Sequence, residues 1–282
     1  MAERNLVRAD PRAFAAYFDR KPFYVDHALA AHPAFSLERL VELARALPEP
    51  FVEWNAGEVA VGRAEASPRN GLSAEETVRR ISECKSWLVL KRVEQSPAYR
   101  ALLHACLDSL GPLAPAMHDQ QGFIFVSSPG AVTPFHMDPE HNFLLQIRGT
   151  KTVHMWAPDD RYVVGEEAVE ELFAAFSQRN LPYRPEFLQT AHVLPLTAGQ
   201  GVHFPVAVPH WIQNGPEVSV SFSITFRSED SARRSRAYRA NAKLRSLGLN
   251  PPPVGRSVLA DRARSLAVQA VDVARARLKR TR

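Results

Sequence analysis

Apolar residues recur at helical spacing through the first 110 positions, and from about Gly122 the pattern changes to short runs rich in β-branched and aromatic residues. Leu37, Leu40, Val41, Ala44 and Leu47 follow Ser36 as one helical stripe, and Ser73 with Glu76 forms a capping box ahead of Val78 and Ile81. Pro97 after Ser96 opens a further helix whose stripe of Leu103, Cys106, Leu107 and Leu110 ends at Gly111. The β-rich part predicts strands at 123–126, 143–147, 152–156, 202–204 and 218–226, with Gly149-Thr150 read as a tight hairpin between the second and third. The last run alternates cleanly: Val218, Val220, Phe222, Ile224 and Phe226 share one face, while Ser219, Ser221, Ser223 and Thr225 share the other. Strands at this density suggest a jelly-roll or barrel of the cupin kind. An insertion between Asp159 and Thr190 carries a helix from Glu166 to Phe176 and is placed to cover the barrel mouth.

After Arg227 the period is helical again. One helix runs from Ser231 to Leu247 and stops at Gly248, Pro251-Pro252-Pro253 breaks the chain, and a final amphipathic helix runs from Ser257 to Lys279. Its stripe is Leu259, Ala263, Leu266, Ala270 and Val273, with Arg264 and Arg275 expected on the outer face and Arg277 in line with the stripe. A self-complementary helix of this kind suits a two-fold dimer contact. There are no internal repeats.

Charge changes the picture only for this tail. The chain carries +5, but residues 228–282 hold 14 Lys and Arg against 4 Asp and Glu, a balance of +10, which leaves −5 for the rest. Nucleic acid is not favoured as a partner, because the tail nearly lacks the aromatic residues that stack bases. No apolar run reaches the roughly 20 residues of a membrane span, and the charged N-terminus has no apolar stretch of a secretory signal, so a cytoplasmic protein is expected. Cys84 and Cys106 are too few for a disulfide framework or thiolate site.

The candidate chemistry lies in two places. His136 and Asp138 are two apart in an extended segment after Thr133-Pro134, so both side chains leave the same face. With 10 His and 30 acidic residues, about one His-x-Asp/Glu arises by chance, so the pair alone is weak. Seventy-odd residues on, Pro209-His210-Trp211 offers a second imidazole that a jelly roll could fold alongside. Two imidazoles and a carboxylate on one octahedral face form the triad of non-haem Fe(II) oxygenases.

The stretch Thr133-Pro134-Phe135-His136-Met137-Asp138, with Asn142, the apolar strand 143–147 and Gly149-Thr150-Lys151, resembles the core of the JmjC-type hydroxylases. This cupin-like group includes the asparaginyl hydroxylase of hypoxia-inducible factor. Phe204-Pro205 to Asn214 with the serine-rich strand resembles the family's closing portion, and the resemblance covers roughly residues 122–227. It implies a mainly β protein with a double-stranded β-helix core at 111–227, a mostly helical N-terminal region at 1–110 packing on it, and a basic helical C-terminal region at 228–282. It further implies Fe(II) held by His136, Asp138 and His210, and 2-oxoglutarate held at its far carboxylate by Lys151 with help from Thr133. Asn142 and Asn214 are candidates for supporting positions. The implied reaction hydroxylates a C–H bond of a small-molecule, peptide or protein substrate; an N-methyl target would give demethylation, and the alternative is a catalytically silent binding module. His141 and His203 are expected as supporting or substrate-contact groups, His154 and His192 as ordinary strand residues. Gln200 departs from the acidic turn residue common in the family.

Overall fold

The computed structural model describes residues 5–62, 68–175 and 180–280. Its strands are β1 (Val7–Ala9), β2 (Phe23–His27), β3 (Val52–Ala56), β4 (Ser86–Lys91), β5 (His118–Ser127), β6 (Val132–His136), β7 (His141–Arg148), β8 (Lys151–Met155), β9 (His192–Leu196), β10 (Gln200–Phe204), β11 (His210–Asn214) and β12 (Ser219–Arg227). The helices are α1 (Pro11–Tyr17), α2 (Leu37–Ala46), α3 (Ala74–Arg79), α4 (Pro97–Leu110), α5 (Glu166–Ala175), α6 (Glu229–Ser246) and α7 (Val258–Arg280). Phe176, the expected end of the insertion helix, lies outside the described residues. No helix among the described residues is long and apolar enough to cross a membrane.

Two antiparallel sheets face each other as a jelly roll. The larger runs β1-β2-β10-β7-β12-β5-β4-β3 and the smaller β6-β11-β8-β9. The N-terminal segment therefore does more than cover the barrel, since it supplies two strands at each edge of the larger sheet.

The central strand β12 explains the layering. Val220, Phe222, Ile224 and Phe226 pack with Leu40, Leu103 and Leu107 of α2 and α4 in the main apolar core, outside the barrel. The serine face turns inward and is buried too: Ser221 Oγ donates to Gln146 Oε1 at 2.7 Å and Ser223 Oγ to Asn142 Oδ1 at 2.8 Å. A strand expected to have one buried face is buried on both, because the polar face finds partners inside.

Three expectations need correction. Gly149-Thr150 is a corner between sheets, not a hairpin: β7 pairs with β10 and β12, whereas β8 pairs with β9 and β11. Gly149 takes φ +71°, and a Cβ there would lie 2.5 Å from the Val218 carbonyl oxygen, so glycine is required to turn that corner. The insertion does not roof the barrel mouth. Its Val169, Leu172, Phe173 and Phe187 pack with Phe135, Trp156 and Trp211 on the outer face of the smaller sheet. Finally, α7 is turned over relative to the expected orientation. Leu259, Leu266 and Val273 are exposed, whereas Arg264 faces inward and donates to Asn241 Oδ1 at 2.9 Å and to the Pro252 carbonyl.

The cause of that reversal is α6, which is polar around its circumference. Ser228 caps it through a reciprocal pair with Ser231, starting the helix two residues earlier than its apolar pattern suggests. Asn241 and Arg245 reach the buried carboxylate of Glu170 on α5 at 3.1 and 2.6 Å. Toward α7, Arg239 grips Asp272 with two bonds of 2.8 and 3.0 Å and Arg236 donates to Ser265. A helix that offers arginines recruits the polar face of its neighbour, and the apolar stripe is left outside.

Candidate metal centre

His136 closes β6 and His210 opens β11, and the register of these antiparallel strands sets them directly opposite each other. The imidazole centroids are 4.1 Å apart. Asp138 follows in the turn after β6, and alternation carries Phe135 and Met137 into the outer apolar cluster while His136 and Asp138 turn inward. Asp138 Oδ2 lies 3.6 Å from His136 Nε2 and 3.9 Å from His210 Nε2. One ligand atom from each of the three residues lies within 4.8 Å of the others, the single such group among the described residues.

The tautomers suit a metal. Nδ1 of His136 sits 2.7 Å from the Pro134 carbonyl and Nδ1 of His210 sits 2.9 Å from that of Val208, in each case two residues back along the strand. A carbonyl can only accept, so Nδ1 carries a hydrogen in both rings and Nε2 is the nitrogen left facing Asp138. Burial, reinforced by the neighbouring His136, pushes His210 down to about 3, so its imidazole is neutral. Two imidazoles and a carboxylate form a donor set for a divalent transition metal.

One cavity joins this group to the rest of the candidate residues. Thr133, His136, Asp138, Asn142, Lys151 and His210 all line it. Lys151 is buried, and no carboxylate among the described residues pairs with it; desolvation pushes its ammonium down to about 7. A lone buried cation at the end of a cavity is a site for an anion brought from outside. Asn142 is fixed from behind by Ser223. Asn214 does not line the cavity. It is the register partner of Lys151, and its side chain donates to the Ala131 carbonyl at 2.8 Å.

No protein-family model matches the sequence. A JmjC domain-containing protein D of Dictyostelium discoideum is 32% identical over 101 residues, which is 34% of this chain. The match spans about a fifth of that relative's length, 22%. Among solved structures, YcfD, a ribosomal oxygenase from Escherichia coli, superposes with a TM-score of 0.54 at 16% identity, covering 96% of this chain and 68% of its own. The same enzyme in complex with cobalt and 2-oxoglutarate gives 0.51 at 16% identity, with coverage of 93% and 66%.

The chain has the fold of that ribosomal oxygenase, a jelly roll with helical flanks. Within that fold, His141 and His203 fall on the wrong face to support the centre. Asn142 and Leu144 of β7 and Phe204 of β10 line the cavity, so the alternating His141, Phe143 and His203 point to the helix-covered side. There both imidazoles stack in a buried aromatic cluster with Phe18, Phe143 and Phe226. Burial pushes His141 down to about 4 and lowers His203 as well. His154 lies outside the cavity, stacked flat on Trp211 with centroids 3.9 Å apart. The Gln200 departure alters only a turn, where its Oε1 accepts from the amide and hydroxyl of Thr197.

Sequence reasoning missed half of the cavity wall: Trp87, Phe125, Ser127, Leu144, Phe204 and Ile212. Phe125, Leu144 and Phe204 stood in runs recognised as strands, so their inward direction could have been read from alternation against Asn142. Trp87 had no such signal, since its strand joins the barrel only through pairing with β5.

Proposed function

We propose that this protein is an Fe(II)- and 2-oxoglutarate-dependent oxygenase that hydroxylates a C–H bond of a protein or peptide substrate. The observation that carries the reading is the convergence of His136, Asp138 and His210 with both imidazole tautomers preset, in one cavity with the unpaired Lys151. The E. coli relative of the same fold was crystallised with cobalt, a common stand-in for iron, and with 2-oxoglutarate. Its description as a ribosomal oxygenase makes ribosomal proteins the first substrates to assay.

Iron bound at the triad, with 2-oxoglutarate and oxygen, would supply the oxidising power for C–H hydroxylation. The residues of this chain do the rest. His136, Asp138 and His210 would hold the metal. Lys151 supplies charge for the far carboxylate, with the Thr133 hydroxyl beside it. Leu144, Phe204 and Ile212 keep water from the space between, which strengthens that charge pairing. His136 and Asp138 keep part of their surface open while His210 is sealed, so substrate approaches over the β6 side.

Two finer points belong to the same proposal: a cytoplasmic setting, in keeping with Cys84 and Cys106 forming no disulfide, and a homodimer formed through the exposed apolar stripe of α7. The primary test is succinate release from 2-oxoglutarate with Fe(II), together with metal binding followed by calorimetry. His136→Ala and Asp138→Ala should lose turnover completely and metal affinity at least ~10-fold, with the fold unchanged by circular dichroism. Wild-type turnover in either variant overturns the triad.

A further inference from the structure

Among the described residues other than glycine, Asn5, Asp19, Lys85, Arg92, Asp119 and Ala207 take a positive φ. Asn and Asp tolerate that region, and Lys85 and Arg92 are exposed. Ala207, at φ +57°, is the one member of the group that is buried. It holds the third place of a turn closed by the Val208 amide on the Pro205 carbonyl, a place where glycine or asparagine is usual. An alanine has no side-chain hydrogen bond to offset the crowding of its Cβ there. Such a conformation persists only where the surroundings over-determine it.

Those surroundings are two residues of the triad. The Ala207 amide donates to the Asp138 carbonyl at 2.9 Å, and the carbonyl of the next residue, Val208, accepts from Nδ1 of His210 at 2.9 Å. One turn therefore holds the main chain of one candidate ligand and the ring of another. It does so where the strand ladder is interrupted, since the β6–β11 register shifts between His210 and Ile212. The turn is pinned on both faces of the smaller sheet. Val206 and Ala207 belong to the outer apolar cluster with Phe135 and Met137, the neighbours of His136 and Asp138, whereas Val208 belongs to the inner cluster with Phe204 and Ile212. Pro205 and Pro209 bracket it with fixed φ, and the Pro209 carbonyl accepts from the Trp156 amide.

We propose that Ala207 is a positioning residue for the metal: its buried methyl locks the 205–208 turn, and the turn holds the Asp138 main chain and the His210 ring in register for one ion. The inference rests on the oxygenase reading and deepens it. Glycine would relieve the backbone strain, but it would also let the turn sample other conformations, and the donors would have to be ordered again whenever an ion binds.

The test uses the full chain stripped of metal and titrates it with Zn(II) and Co(II). Ala207→Gly keeps the amide and removes the methyl. It should weaken Zn(II) binding by roughly tenfold or more, the scale for losing a support behind a metal ligand, and change the visible ligand-field spectrum of the Co(II) form. The denaturant midpoint of the metal-free protein should be no lower than in the wild type, because relief of the positive φ offsets the lost methyl. Ala207→Ser, which keeps a Cβ, should retain wild-type affinity and spectrum. An unchanged Zn(II) affinity or Co(II) spectrum in Ala207→Gly overturns the proposal, and so does an Ala207→Ser variant as weak as Ala207→Gly. A lower metal-free midpoint in Ala207→Gly also overturns it, since the alanine would then serve the fold and not the centre. In each of these cases the oxygenase reading stands as long as the wild type binds metal; a wild type that binds neither ion removes that reading and this inference together.

Discussion

Lys151 shows how the site is set against the stability of the chain around it. An ammonium that ordinarily titrates at 10.5 is held at about 7 by burial alone. Between those values the unfolded chain binds more protons than the folded one, so stability rises with pH across that window; below about 7 the lysine is charged in both states and the penalty is complete. The gap corresponds to a ceiling of about 5 kcal/mol. Lys151→Met should therefore raise stability by ~2 kcal/mol at pH 6 while destroying 2-oxoglutarate affinity, a pair of effects read by denaturant unfolding and calorimetry. A lower midpoint in the variant would mean the lysine is already paired. The bound carboxylate should also return the ammonium toward its usual range, so binding at pH 8 takes up a proton. Affinity should fall as pH rises above about 7, by up to roughly tenfold per pH unit. Binding heats that do not vary with the ionisation enthalpy of the buffer would contradict this.

Elements were legible where the chemistry is local and misread where it depends on what lies across the fold. The Thr133 to Lys151 motif spans β6, β7 and β8, and within a strand alternation decides direction, as it does for Asn142 and Leu144 of β7. The two-residue Gly149-Thr150 link looked like a hairpin because turn residues say how sharply a chain bends and nothing about which sheet receives it. Gly149→Ala tests the corner: the methyl meets the Val218 carbonyl at a positive φ, so we expect a loss of about 2–4 kcal/mol by chemical denaturation. A change below ~0.5 kcal/mol would show that the corner can relax. The α7 stripe was legible, but the inward turn of Arg264 on its other face was not, since apolar periodicity cannot reveal that α6 presents polar partners. With Leu266 exposed, Leu266→Arg should convert a dimer into a monomer in light scattering while turnover per chain persists. A wild-type monomer at micromolar concentration would remove the dimer from the proposal.

At the scale of the whole molecule, the candidate metal centre could be read because His136, Asp138 and His210 lie in two short motifs, whereas Trp87 could not, because its place in the cavity comes from the pairing of β4 with β5. Strands from the first 110 residues complete both edges of the large sheet. A chain beginning at Gly111 should therefore lose cooperative unfolding and bind ANS, since β5 and β10 would be left as bare edges; a soluble, cooperatively folded fragment would refute this. The same arrangement has a consequence for biosynthesis. The outermost strands leave the ribosome first and the strands that must lie between them leave last: Tyr24 of β2 waits for Val202 of β10, and β5 waits for β12. The growing polypeptide thus carries two separate pieces of the larger sheet, β1-β2 and β3-β4-β5, that cannot be joined until nearly all of the barrel has been made. Closure of such long loops is slow, and the helices α2 and α4, whose buried leucines have no strands to cover meanwhile, are the segments that a chaperone would have to shield.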